Sequence, residues 1–404
     1  MPMRTPARPI LLRGGKTHTP EGVLEPCDLL LQDGRIEAFG PRLHAPTGTA
    51  VVEAQGRHVV PGFIDLQVNG GGGQAVLEGT ESAVRAIART LAPLGTTAFL
   101  PTLISAPEPL LLETLSAVRS ASTPEEAPAA SVVGVHLEGP FLNPEMAGAH
   151  PREHLRLPDP PLFDRLARAW EGKDGQPSAP ALLTLAPELS GGLALLQRVT
   201  QRGWRPAFGH TKATFEEAQR AVRAGVRLAT HAFNRMGSFH HREPGVLGVV
   251  LTDPRVTAGL IADGIHVHPA ALQAALRLKG ASGAFLVSDA TPAGEDASES
   301  PPAGGFHMGD ARVTLEKDRV VTSEGALAGA LLSSRRALAN AIRLCGFRLE
   351  EALPWVTETP ARVLGLLGRK GVLAPGADAD VAVLDESLEV RWVAVGGRVA
   401  LNRL

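Results

Sequence analysis

The chain of 404 residues contains no tyrosine, and aromatic residues make up only 4% of it. It has two cysteines, Cys27 and Cys345, which exclude a disulfide framework and read as incidental thiols in a reducing cytoplasm. It lacks a charge excess: a net charge of −2 gives no basic field for nucleic acid. No window approaches the roughly 18 continuous apolar residues of a membrane-spanning helix, so no membrane partner is expected. The start, MPMRTPARPILLRGG, holds one short apolar cluster before Arg13, too short for the core of a secretory leader. Lysine is scarce beside arginine, while Ala, Gly and Pro are abundant. A GC-rich coding bias accounts for this; a thermophilic host is the second reading, for which Arg-for-Lys is a weak signal.

What the sequence does contain is alternation. Eight apolar, β-rich runs follow one another: 62–69, 97–104, 131–138, 181–188, 205–210, 226–231, 257–263 and 283–289. Helix-like segments separate most of them. In TFEEAQRAVRAG, Phe215, Ala218 and Val222 share one helical face, with Thr214 as the N-cap and Gly225 as the stop. Eight βα repeats predict an α/β chain with a TIM-like (β/α)₈ barrel. A doubly wound open sheet is the alternative, but no G-x-G-x-x-G follows a strand. Both ends of the chain read as short strands, with a hairpin signal at Asp33-Gly34. Neither end is long enough for its own core. The expected organisation is therefore a small β-sandwich domain from residues 1–60 and 366–404, with the barrel, 61–365, inserted between them. After the eighth run, 306–325 reads as a β-hairpin and 326–346 as a long helix.

Active sites of such barrels lie at the C-terminal ends of the strands, so the residue closing each run is informative. The runs lead to Gln67 and Asn69, Glu138, Glu188, His210, His231, Asp263 with His266, and Asp289. A lone histidine or carboxylate at a strand end is ordinarily a satisfied or solvated group. The joint pattern is stronger: one Glu and two His from strands three, five and six compose a facial donor set that leaves room for water, as in catalytic zinc or ferrous sites. Asp289 from strand eight can face that water. The four glycines from Gly70 to Gly73 lack the Lys-Ser/Thr of a phosphate loop and read as a close-packed turn. His44, His240 and His241 read as loop residues in solvent.

The motifs PGFIDLQVNG, HLEGPFLNPEMAGAH, GHTKAT, THAFNRM, REPGVLG, ADGIHVHP, SDATPAG, GALAGALLS and GVLAPGADADVAVLD span nearly the whole chain. Through them the sequence resembles the N-acetylglucosamine-6-phosphate deacetylases of the amidohydrolase superfamily. The resemblance implies that Glu138, His210 and His231 hold one divalent metal, with Zn first and Fe, Co or Mn as alternatives. It implies that Asp289 is the acid/base and that His266, with Asp263, meets the substrate near the scissile amide. Ala149, His150, Asn234, Arg242, Leu327, Ala328 and Gly329 match sugar- and phosphate-binding segments. Members with His-x-His on the first strand hold two metals; Gln67 and Asn69 would mark a vacated second position, where amides are poor ligands beside imidazole. Arg235 departs from the family's common Ala and reads equally as a solvated side chain or as an extra phosphate contact. A homodimer acting on an amino sugar phosphate in the cytoplasm follows from the same resemblance.

Two rivals remain at this level. A cyclic amidase of the dihydroorotase or hydantoinase kind would carry His-x-His and often a carboxylated lysine; Glu138 with Gln67 and Asn69 speak against it. A non-catalytic sugar-phosphate binding protein has no need of the three ligands and Asp289 together. N-acetylglucosamine 6-phosphate and its galactosamine epimer are not separable from sequence.

Overall fold

The structure is a computed structural model that describes residues 8–125, 127–172, 179–295 and 305–404. The first seven residues, where no leader was expected, lie outside that range. All eight runs form parallel barrel strands. They are β1 Phe63–Val68, β2 Thr96–Leu103, β3 Val135–Glu138 and β4 Ala181–Leu185. The second half comprises β5 Arg205–Phe208, β6 Leu228–Ala229, β7 Thr257–Ile261 and β8 Ala284–Val287. They pair in chain order from β1 to β8. Every residue of β1 and β2 is buried, which is why these runs are continuously apolar and do not alternate. Among the described residues no ladder joins β8 back to β1. The seam closes through an isolated parallel bridge, Val68 to Ala290, with the Asn69 N–H donating to the Ala290 carbonyl at 2.8 Å.

The helix read from TFEEAQRAVRAG runs Phe215–Arg223. Thr214 caps it in a box with Glu217, Ala218 and Val222 are buried, and Gly225 follows at φ +120°. The cap fixes the chain just after His210, so the helix start and the site residue are set together.

Both termini supply one eight-stranded sheet. Strand Ile10–Thr19 is shared between its two layers. The first half pairs with Ala50–Glu53 and the second with His58–Pro61, across register shifts between Leu12 and Thr17. The sandwich is therefore a single sheet bent on itself, around Leu12, Leu29, Ile36, Val381 and Trp392. Its opposite face, including Val60, Ala382 and Val393, packs on the barrel core. The turn at Asp33-Gly34 has both residues at positive φ, as a two-residue hairpin requires.

The region after β8 departs from expectation. Residues 306–322 form three antiparallel strands and not one hairpin. The following helix begins only at Ser334, capped by Ser333. Residues 326–330 are drawn into extended pairing instead: Ala328 N–H donates to Val320 O and Ala330 N–H to Asp289 O. Gly329, at φ +72°, cannot continue a helix. Gly70–Gly71 pair with Gln74–Ala75 in a small hairpin, so the glycine run forms a tight turn.

Candidate active site

The strand ends converge. Glu138 is the last residue of β3, while His210, His231 and Asp289 lie just beyond β5, β6 and β8. The last three are non-glycine residues at positive φ, +48°, +30° and +49°. Such backbone is uncommon and persists where surrounding bonds over-determine it. All four side chains are buried.

Glu138 Oε1 stands 3.0 Å from His210 Nε2 and 2.7 Å from His231 Nε2, and the two ring nitrogens are 3.2 Å apart. One carboxylate oxygen and two imidazole nitrogens thus face one point. Tetrahedral donors about 2.0–2.1 Å from zinc would lie roughly 3.3 Å apart, so this cluster fits a divalent ion with little movement; among the described residues it is the one group of this kind. His210 Nδ1 donates to the Met146 carbonyl at 2.7 Å, which leaves Nε2 free as a ligand. His150 Nδ1 accepts from the Ser105 N–H at 3.1 Å, so its Nε2 carries the proton, 3.9 Å from Glu138 Oε1. Burial works against ionising Glu138, but the His231 charge and the adjoining His150 and His231 rings outweigh it and hold the carboxyl well below its usual range.

The two amides of β1 have definite partners. Gln67 Nε2 donates to Glu138 Oε2 at 3.1 Å, and Asn69 Nδ2 donates to Asp289 Oδ1 at 2.7 Å. Each amide holds one of the two carboxylates of the site. The carboxyl of Asp289 is pushed up to about 7, first by burial and then by the Glu138 charge, against the opposing pull of His231, His266 and Asn69. After the neighbouring strand β7, Asp263 Oδ2 accepts from His266 Nδ1 at 2.6 Å and its Oδ1 accepts the His266 and Ile265 N–H groups. Asp263 thereby aims the imidazole, whose ring lines the cavity. Glu188 stands apart. It accepts from Asn143 Nδ2, Thr211 Oγ1 and Lys212 N–H, tying the loops after β3 and β5 around His210.

These groups line a cavity of about 470 Å³, a volume suited to a small ligand. Ala149, Asn234, Arg235, Leu327, Ala328 and Gly329 line it as well. Gly329 approaches Asp289 so closely that a Cβ would lie 2.6 Å from its carbonyl oxygen. Arg235 is exposed at the rim, with its stem over Gly148, where a Cβ would meet Arg235 Cγ at 3.2 Å. Arg242 is exposed on the following loop and does not line this cavity; His44, His240 and His241 are exposed on loops too. Sequence reading missed Met308 and Phe233, which also line the cavity; neither carries a chemical signature. It missed the buried layer beneath the Glu138–His210–His231 cluster, where His136 Nε2 meets Thr184 Oγ1 at 2.7 Å and Thr184 meets Thr230 Oγ1 at 2.6 Å. The His-x-Glu spacing of VHLE was its one available sign. A second cavity, about 510 Å³, lies at the opposite ends of the strands. Arg35, Lys370, Asp378 and Asp380 line it, and their charges neutralise one another in ion pairs; it offers no comparable chemistry.

The amidohydrolase family profile matches residues 58–400. An N-acetylglucosamine-6-phosphate deacetylase of Lysinibacillus sphaericus is 32% identical over 97% of this chain and 98% of its own length. An N-acetylgalactosamine-6-phosphate deacetylase of Escherichia coli O157:H7 is 33% identical over 96% of this chain and 99% of its own length. Among solved structures, a mutant N-acetyl-D-glucosamine-6-phosphate deacetylase from Mycobacterium smegmatis, in complex with N-acetyl-D-glucosamine-6-phosphate, superposes with a TM-score of 0.88 at 29% identity, covering 98% of this chain and 100% of that one. Profile, sequence identity and superposition extend over the same barrel and terminal sheet, and the chain belongs to the amidohydrolase family, among its N-acetylglucosamine-6-phosphate deacetylases.

Proposed function

We propose that this chain hydrolyses the acetamide of N-acetylglucosamine 6-phosphate to glucosamine 6-phosphate and acetate. The observation that carries the reading is Asp289: a buried carboxyl beside, but not within, the Glu138–His210–His231 donor set, held by Asn69. Glu138, His210 and His231 would hold a divalent ion, which would supply Lewis-acid activation of water and of the amide carbonyl. Asp289, beside the donor set and held by Asn69, takes the proton of the attacking water and returns it to the departing amine. His266, its Nδ1 paired with Asp263, lines the cavity where the amide oxygen becomes negative. His150 presents an N–H to the same cavity. Asn234, Arg235 and the 327–329 backbone face the sugar and its phosphate, whose binding positions the amide for attack.

One carboxylate and two imidazoles suit zinc, with iron, cobalt and manganese as competitors. The reading includes a cytoplasmic homodimer. Buried free thiols at Cys27 and Cys345 support the compartment. The exposed loop carrying Phe239 and Arg242 supports a second copy nearby. Residues 1–60 with 366–404 and residues 61–365 are taken as the two units, the first having an apolar cluster of its own. The test is acetate release from the glucosamine and galactosamine N-acetyl 6-phosphates by metal-loaded protein, with elemental analysis and sedimentation alongside. Turnover of neither sugar phosphate would overturn the reading; faster turnover of the second would move it to the epimer, for which the E. coli relative is named.

A further inference from the structure

The carboxylate of Asp65 is buried in the barrel wall, 1% exposed, and touches no metal-binding side chain. Its oxygens accept from three donors on three elements. Gln67 N–H reaches Oδ1 at 3.2 Å. Ser288 N–H bridges both oxygens, at 3.2 and 3.3 Å. Ser334 Oγ, in the first turn of the helix that closes the barrel, donates to Oδ2 at 3.0 Å and is itself met by Thr96 Oγ1. No cation lies against this carboxyl among the described residues, and burial raises it above the usual range despite these bonds. A buried carboxylate with neutral donors only is a costly group to maintain unless the bonds it makes are needed.

Its place explains the need. Among the described residues β1 and β8 share no ladder, so the Ser288 N–H meets a side-chain acceptor instead of a strand carbonyl. Asp65 supplies the acceptor that a neighbouring strand would provide. The next residue is Asp289, in left-handed backbone at φ +49°. Ser288 is fixed on its other side too, its Oγ donating to Gln67 O at 3.3 Å and accepting from Ala290 N–H at 3.1 Å. The Asp289 carbonyl is then taken by Ala330 N–H. The same Asp65 carboxylate anchors the base of Gln67, one residue pair before Asn69, the donor to Asp289. One side chain thus sets the spacing between β1, which carries the amides, and β8, which carries the proposed base.

We propose that Asp65 is a positioning residue for the deacetylation: it replaces the missing β1–β8 ladder and holds Asp289 in its strained backbone at hydrogen-bond distance from Asn69. The inference rests on the proposed hydrolysis only for its kinetic readout. An asparagine can substitute in kind, its oxygen accepting the two N–H groups and its amide donating to Ser334 Oγ. An alanine cannot.

The experiment compares wild-type, Asp65→Ala, Asp65→Asn and Ser334→Ala proteins, each purified with its metal content measured. Wild-type acetate release tests the hydrolysis itself. In metal-replete protein, Asp65→Ala should lower kcat at least 10-fold with KM within 2-fold, and Asp65→Asn should stay within about 3-fold of wild type. Ser334→Ala, which removes one remote donor, should lower kcat by 2- to 5-fold without moving KM. A crystal structure of Asp65→Ala should show Ser288–Ala290 withdrawn from Gln67 and the Asn69–Asp289 bond lengthened; this readout stands even if the sugar phosphate is not the substrate. Wild-type kcat per metal-loaded Asp65→Ala, or an unmoved Ser288–Ala290 segment, would overturn the proposal. If Asp65→Ala does not fold, wild-type kcat in Ser334→Ala would assign Asp65 to the fold alone and overturn it equally, whereas the graded loss would support it.

Discussion

Asn69 Nδ2 donates to Asp289 Oδ1 at 2.7 Å, joining the end of the first barrel strand to the end of the eighth. The amide thereby has a second consequence besides being a weak metal ligand: it stabilises the ionised form of the proposed base against burial. Asn69→Ala should lower kcat about 10-fold with little change in KM, since one charge-assisted hydrogen bond is worth roughly 1.5–3 kcal/mol. Steady-state kinetics on metal-replete protein checks it; a loss confined to KM would place Asn69 on the substrate instead.

Asp289→Asn should keep the metal and lose on the order of 10²–10⁴ in turnover, the usual cost of removing a general base. The amide can still meet Asn69, so folding and metal content should match wild type, as circular dichroism and elemental analysis would verify. A variant of normal rate with metal bound would mean that another group takes the proton.

The chain should hold one tightly bound metal equivalent. Gln67 and Asn69 are engaged with Glu138 and Asp289 and offer no second imidazole pair. Elemental analysis after gentle purification should give close to one equivalent, and Glu138→Gln should abolish it. Two equivalents surviving dialysis would contradict the single-ion reading.

The barrel and its donor set were legible because most strands are apolar runs closed by a chemically distinct residue. Glu138, His210, His231 and Asp289 stand out against Val, Leu and Ala. Asp65 was not legible. It sits inside such a run and acts as a substitute for backbone, which no periodicity reports. The stretch ALAGALLSS misled because its composition favours helix (Ala and Leu are strong formers). Bonds to the nearby Val320 and to Asp289, far along the chain, hold it extended. The site itself supplied the tertiary override.

His18 and His58 join in the terminal sheet, Nε2 to Nδ1 at 2.9 Å. Burial, and next the neighbouring His58, lower His18 from 6.5 to about 4. As pH falls below 6.5 the unfolded chain takes up a proton that the folded chain refuses until about 4. The contribution to stability is therefore complete above pH 6.5 and lost on descending to 4, and it amounts to about 3 kcal/mol at most. His18→Gln should flatten the pH dependence of the guanidinium unfolding midpoint in that window. An unchanged slope would show that His18 is not the group responsible.

Two arginines compete for the substrate's anionic end in the proposed reaction. Arg235 stands at the rim of the cavity, its stem over Gly148. Arg242, expected from the REPG motif to hold phosphate, lies on an exposed loop outside that lining. A guanidinium and a phosphate form a charge-assisted pair worth about 1.5–3 kcal/mol, so Arg235→Ala should lower kcat/KM for the 6-phosphate about 10- to 100-fold. Unphosphorylated N-acetylglucosamine lacks the partner and should be turned over equally by both proteins. Loss in KM alone would mean that Arg235 only binds; loss in kcat as well would mean that the phosphate contact positions the amide. The same cycle run on Arg242→Ala separates the two arginines. If its loss is phosphate-specific and grows with dilution, Arg242 reaches the phosphate of a second copy. Equal losses for both sugars in Arg235→Ala would remove that residue from phosphate recognition and leave it a packing role over Gly148.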